Sequence, residues 1–191
     1  MKRAFLMLIV VAIVATILNH RRDHAHDSDT YLEQLQYRIE CATWQTHYDP
    51  AYGYAVRYLS CFVPASTEGE PEGTCRFAYV EDVTPLQNVT YIVQEVTTQT
   101  CVDTLHPYAE IRRMANEMGA ISLRQSDDCY LMSGKLKSRD PRVTAYCFNA
   151  RYVLRQRLWF VDTIYYPEDF APVMQRLVDE VNDWQPFAPE R

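Results

Sequence analysis

The stretch Val153-Leu154-Arg155-Gln156-Arg157-Leu158-Trp159-Phe160-Val161-Asp162-Thr163-Ile164-Tyr165-Tyr166-Pro167 decides the fold. Its β-branched and aromatic residues predict the longest strand of the chain, over 153–166. Alternation places Leu154, Leu158, Phe160 and Ile164 on one side. Trp159 then shares the other side with Arg155, Arg157 and Val161. Pro167 cannot donate to a ladder and ends the strand. Beyond it Val173, Leu177, Val181 and Trp184 recur at helical spacing, which predicts a helix over 170–184 with Pro172 in its first turn. Pro186 and Pro189 stop any continuation. A strand followed by a helix with one apolar stripe implies a helix laid on a sheet.

Upstream, Thr30 to Cys41 begins as a short helix, with Tyr31, Leu32, Leu35 and Ile39 on one side. Trp44 to Tyr48 leads into the turn Asp49-Pro50-Ala51-Tyr52-Gly53. Strands are expected over 54–63, 75–80 and 89–98, the first two joined by the exposed loop PASTEGEPEGT at 64–74. Asp103-Thr104, Pro107, the stripe Tyr108, Ile111, Ala115 and Met118, and Gly119 mark a helix with its start and stop. Short strands follow at Ile121–Leu123, 129–136 and 143–149. A hairpin loop is expected at 137–142 and a further turn at 149–152. Hairpins, a helix, a meander and a closing helix make an α+β fold, an antiparallel sheet covered by helices.

The chain has 191 residues with 48% hydrophobic and 23% charged, enough for one domain with a core. Residues 1–22 hold Lys2, Arg3, Arg21 and Arg22 and no acid. The rest therefore carries 15 basic against 25 acidic side chains. A body this acidic is repelled by phosphate backbones, so no nucleic-acid partner is expected.

Met1-Lys2-Arg3 precedes an apolar run from Ala4 to Leu18, broken only by Thr16, the pattern of an export signal or membrane anchor over 1–18. As a helix the run spans roughly 22 Å, short of a bilayer core of about 30 Å, which flanking Lys and Arg can make up by snorkelling. Small-x-small triplets lie inside the run rather than after it, which favours an uncleaved anchor. Residues 19–29 read as a polar linker; its His20, His24 and His26 are weighed as metal ligands against a solvated tether, and the tether is preferred. Residues 30–191 form the domain.

Six cysteines, Cys41, Cys61, Cys75, Cys101, Cys129 and Cys147, follow the apolar run, and none forms a CxxC pair. In an exported chain an even set reads as disulfides, and this places the domain outside the cytoplasm, periplasmic or at the cell surface. Buried free thiols are the alternative. If strands 54–63 and 75–80 pair about a centre near residue 68, Cys61 lies opposite Cys75, the preferred bridge. Its loop of about 15 residues would contribute roughly 3 kcal/mol. The pairing of the others stays open.

Two parts of the sequence together suggest a family. Residues Tyr48-Asp49-Pro50-Ala51-Tyr52-Gly53-Tyr54-Ala55-Val56-Arg57-Tyr58, and Val153 to Tyr166 followed by Pro167 and a helix closing on Trp184-Gln185-Pro186-Phe187, resemble PsbP-like domains. The resemblance spans residues 42–187 by order of elements. It implies an antiparallel sheet with helices packed on it and no reaction, since members mainly serve as accessory or binding subunits. The six cysteines depart from the familiar members, and no functional residue is carried over.

No Gly-rich, P-loop, GxSxG or HExxH motif is present, so no cofactor or metal is expected. Cys101 and His106, with Asp103 between them, are weighed as a thiol nucleophile against a bridged cysteine and a turn histidine; the second is preferred. Asp127-Asp128 and Glu168-Asp169 read as solvated caps rather than acid–base pairs. Asn88-Val89-Thr90 matches a glycosylation sequon. If the face carrying Trp159, Arg155 and Arg157 is open, it suits a protein partner; otherwise a helix or the N-terminal segment covers it. The expected function is an exported, membrane-tethered binding domain without catalysis. The alternative is an enzyme whose pocket unites His47 or His106 with carboxylates.

Overall fold

The computed structural model describes residues 30–79, 92–126, 129–136 and 146–187. The N-terminal anchor and linker, the sequon, Asp127-Asp128 and the hairpin loop at 137–142 lie outside the described residues. By internal contacts the chain divides into Met1–Arg38 and Ile39–Arg191. Within the first unit the described residues are helical, and Leu35 is buried. Helix α1 covers 30–41 and ends inside the second unit.

In the second unit β1 (Trp44–Tyr48) and β2 (Ala55–Leu59) form a hairpin of their own. Asp49 builds its turn: Oδ1 accepts the N–H groups of Ala51 (3.0 Å) and Tyr52 (2.8 Å), and Gly53 supplies the positive φ of 70° that closes it. The main sheet is antiparallel. It holds β3 (Val63–Pro64), β4 (Cys75–Tyr79), β5 (Ile92–Thr100), β6 (Ala120–Ser126), β7 (Cys129–Lys135), β8 (Tyr146–Arg155) and β9 (Leu158–Pro167), in the order β3-β4-β5-β9-β8-β7-β6. Helix α2 (Pro107–Met118) joins β5 to β6. A 3-10 segment (Glu168–Val173) leads into α3 (Gln175–Asp183). The fold is α+β, an antiparallel sheet covered by helices, as the order of elements implied.

Both faces of the central strands are buried. On one, Ile111 and Ala115 of α2 pack with Cys101, Tyr130, Phe148, Tyr152, Trp159 and Val161. On the other, Tyr54 meets Phe160 and Trp184 edge-on, and Leu177 and Val181 of α3 are buried. The Trp184 indole donates to the carbonyl of Ala55, and the Ala55 N–H to the carbonyl of Pro186, both at 2.8 Å. Arg176 of α3 donates to the carbonyls of Ile39, Glu40 (2.9 Å) and Ala42 (3.0 Å), which satisfies the open C-terminal end of α1.

Residues 153–167 are not one strand. Gln156 and Arg157 have φ of 50° and 68° and form a two-residue turn, with Arg155 opposite Leu158 and Val153 opposite Phe160. The turn expected at 149–152 is mid-strand in β8. The meander therefore has four strands. Two positive φ values in succession are the signature of a tight hairpin, but Asn-Gly is its usual sequence mark, and Gln-Arg conceals it. The correction moves side chains. Arg155 shares a face with Leu158 and Phe160, and Trp159 faces α2 with no exposure. Trp159 is core, not partner surface.

The closing helix is also shorter than its pattern. Pro172 lies in the 3-10 segment, and the α-helix starts only at Gln175.

Cys41, Cys75, Cys101 and Cys147 stand as free thiols. A register with Cys61 opposite Cys75 would set Val63 opposite Gly73, but Val63 pairs with Ala78 and Pro64 with Phe77. Cys75 lies opposite Val96, Cys129 opposite Val153 and Cys147 opposite Lys135. The expected Cys61–Cys75 bridge is thus excluded by a register set by the long 64–74 loop, whose asymmetric turns sequence symmetry does not capture.

Candidate functional site

One end of the sheet gathers the features that suit recognition. The β1–β2 turn, the β8–β9 turn and the segment after α3 converge there on a groove lined by Tyr52, Gly53, Arg155, Leu158, Phe160 and Phe187. Phe160 packs edge-on against Phe187, with ring centroids 4.8 Å apart. The guanidinium of Arg155 lies 4.2 Å from the Phe187 centroid, a cation–π contact that holds the charge at the rim. Gln156 and Arg157, at the tip of the turn, are exposed.

The chain leaving β5 extends this surface. The Cys101 N–H donates to the carbonyl of Arg157 at 2.8 Å, which brings the 101–106 loop beside the turn. That loop exposes Val102 to 80% and Leu105 to 85%. Its backbone is fixed from beneath by Glu110 of α2, a buried carboxylate. Glu110 Oε2 accepts the N–H of Val102 (3.0 Å), the N–H of Asp103 (3.3 Å) and the thiol of Cys101 (3.3 Å). Two apolar side chains are thereby held in solvent on a loop whose first residue is bonded to the backbone of Arg157.

The other candidates do not assemble. Cys101 has no exposure, and burial, followed by the Glu110 carboxylate, pushes its thiol pKa up, the reverse of what a nucleophile needs. His106 is turned away to Asp103, Nδ1 to Oδ2 at 3.1 Å, and that pair is exposed. The Asp103 carboxylate pKa is lowered, chiefly by the His106 backbone N–H. Asp103 Oδ1 accepts the N–H groups of Leu105 and His106, an Asx turn just before α2. It caps no helix N–H, and α2 starts at Pro107. His47 packs its ring edge-on against Phe77 at 5.7 Å. Glu168 binds Lys135 at 2.7 Å on the surface. A second groove lies on the outer face of α2, along Tyr108, Arg112, Arg113 and Glu117. Neither groove contains His47 or His106. Among the described residues no group of three or more His, Cys, Asp or Glu could hold a metal ion, and no helix is long and apolar enough to cross a membrane.

Arg155 and Arg157 are where sequence reasoning placed a partner surface, but Trp159 is not with them. Val102 and Leu105 were missed; two exposed apolar residues in a loop leave no periodic signal.

No family model and no curated protein matches the sequence. Among solved structures the chain is similar to cyanobacterial PsbP (CyanoP) from Synechocystis sp. PCC 6803. The identity is 14%, the TM-score is 0.48, and the match covers 74% of this chain and 90% of that one. This is the family that residues 48–58 and 153–187 resemble. No residue role is transferred from it.

Proposed function

We propose that this chain is an accessory domain outside the cytoplasm that binds a protein partner through the turn end of its sheet, without a reaction of its own. Residues 1–18 anchor it and residues 19–29 are its tether. The basic start and the apolar run support export, and the even set of cysteines is compatible with it. The observation that carries the binding reading is the hydrogen bond from the Cys101 N–H to the Arg157 carbonyl, which ties the loop bearing exposed Val102 and Leu105 to the turn bearing Arg155 and Arg157, on a chain whose acids outnumber its bases 25 to 19. Cations beside apolar side chains complement a segment that carries carboxylates among aliphatic or aromatic residues.

The test uses the full chain in its native membrane, with a photocrosslinking residue at Leu105 and, as a control, at Arg124 of β6. One discrete adduct from Leu105, absent from Arg124 and abolished by Arg155→Glu with Arg157→Glu, is the expected result. Equal adducts from both positions, or an adduct indifferent to charge reversal, overturns the docking surface. Recovery of the mature chain from the cytosol with all six thiols titratable overturns the location.

A further inference from the structure

Asp162 is the middle of β9 and has no exposure. Its described side-chain hydrogen-bond donor is Gln94 of β5, whose Nε2 reaches both carboxyl oxygens at 3.1 and 3.3 Å and the carbonyl of Arg57 at 3.1 Å. Register sets Arg151 of β8 directly opposite Asp162. Across an antiparallel pair such side chains share a face, with Cβ atoms about 5 Å apart. Arg151 is itself buried, yet its guanidinium goes elsewhere. Nη1 donates to the carbonyl of Asn182 in the last turn of α3, and the buried Nε has no partner in the structure.

The other charged and titratable groups around this layer come from every element packed on it. Glu180 of α3 pairs with Arg57 of β2 at 3.3 Å. Cys75 of β4, Tyr54 and Asp49 lie on the hairpin side. No cation in this set stands against Asp162. Burial, with Glu180 adding to it against the opposing Gln94 bonds, pushes the carboxyl up to about 8. A neutral Asp162 is the form that leaves Arg151 with α3.

We propose that Arg151 is a two-position switch. With Asp162 neutral it caps the C-terminal turn of α3; when Asp162 ionises, it crosses to the carboxylate and releases that turn. The released segment runs straight through Trp184 and Pro186, both bonded to Ala55, to Phe187, the aromatic wall under Arg155. Ionisation of one buried carboxyl therefore loosens the docking groove from behind. The switch stands on its own geometry; its consequence for binding rests on the docking function proposed above.

The full chain is compared by hydrogen exchange, corrected for intrinsic rates, at pH values well below and well above 8. Amides of residues 181–185 and 187 should exchange faster at high pH, on the order of tenfold. The midpoint should coincide with the Asp162 carboxyl titration followed by NMR. Asp162→Asn should hold the slow rate throughout, and Arg151→Gln should be fast at both pH values. Unchanged protection in the wild-type chain while Asp162 titrates overturns the switch, as does the same pH response in Asp162→Asn. The wild-type measurement decides even if a variant fails to fold. Crosslinking from Leu105 on the same samples separates the two proposals. An adduct at low pH without any exchange change leaves docking standing and the switch refuted. An exchange change without any adduct does the reverse.

Discussion

The carbonyl of Arg157 receives the N–H of Cys101 at 2.8 Å, so the tip of the β8–β9 hairpin and the end of β5 are pinned to one another. Each partner is in an unusual position. Arg157 has a φ of 68° in a turn that ordinarily selects Asn-Gly, and Cys101 begins the loop that Glu110 fixes.

The turn should therefore gain stability from the sequence it lacks. Replacing Gln156 by Asn and Arg157 by Gly removes two left-handed side-chain penalties and should raise unfolding stability by about 1 kcal/mol. Urea denaturation measures it, and an unchanged midpoint would show that the turn is already relaxed. The same variant should lose the Leu105 adduct, because the exposed guanidinium is gone.

Glu110→Ala removes one carboxylate from three donors and leaves the N–H groups of Val102 and Asp103 without it. The expected loss is about 2–3 kcal/mol. Glu110→Gln, which keeps an acceptor oxygen, should lose less. In the reduced native protein, Cys41 at the surface should be alkylated first and Cys101 only on unfolding. Mass spectrometry of partially alkylated protein reads that order; equal rates at the two thiols would contradict it.

The pH dependence has a definite sign. Asp162 has the ordinary carboxyl value of 3.8 in the unfolded chain, and burial pushes it up to about 8 in the folded one. Between these values the folded state holds a proton that the unfolded state has released. The stabilisation is complete below the lower value and is lost as pH rises through about 8. Each unit of separation corresponds to about 1.4 kcal/mol, so the whole loss is on the order of several kcal/mol. Glu180, raised chiefly by burial, acts in the same direction. Denaturation curves across this range should flatten in Asp162→Asn; a slope that persists there would assign the effect to other groups.

Gly134 of β7 passes against the turn that ends α2. A Cβ placed on it would lie 2.6 Å from the Gly119 carbonyl oxygen and 2.7 Å from the Ala120 Cα, both backbone atoms with little freedom to yield. Gly134→Ala should cost about 1–3 kcal/mol by overpacking. Thermal unfolding tests it, and a neutral effect would mean that the edge strand β6 gives way.

The elements most readable in the sequence were those with punctuation at both ends. Helix α2 has Pro107, the buried pair Ile111 and Ala115, and Gly119 with its φ of 81°. The Asp49–Gly53 turn was equally plain. The β8–β9 turn was not, because tertiary pairing along two ten-residue strands holds Gln156 and Arg157 in a conformation that their side chains disfavour. Burial on both faces then erased the alternation that would have separated Trp159 from Arg155. At the site, the arginines were visible as charges beside a hydrophobic run, whereas Val102 and Leu105 are placed by Glu110, a contact that local sequence does not announce.

The central position of β9 also governs assembly in time. β5, at residues 92–100, gains its second neighbour only from residues 158–167, far downstream in sequence. A pairing this distant in sequence forms late, and until then β5 has one open edge. During synthesis the sheet stays unfinished until residues 158–167 have emerged. Under the export proposed above, the late-closing strand would supply the delay that threading in extended form requires: what crosses the membrane would be a string not yet able to knot itself into a body.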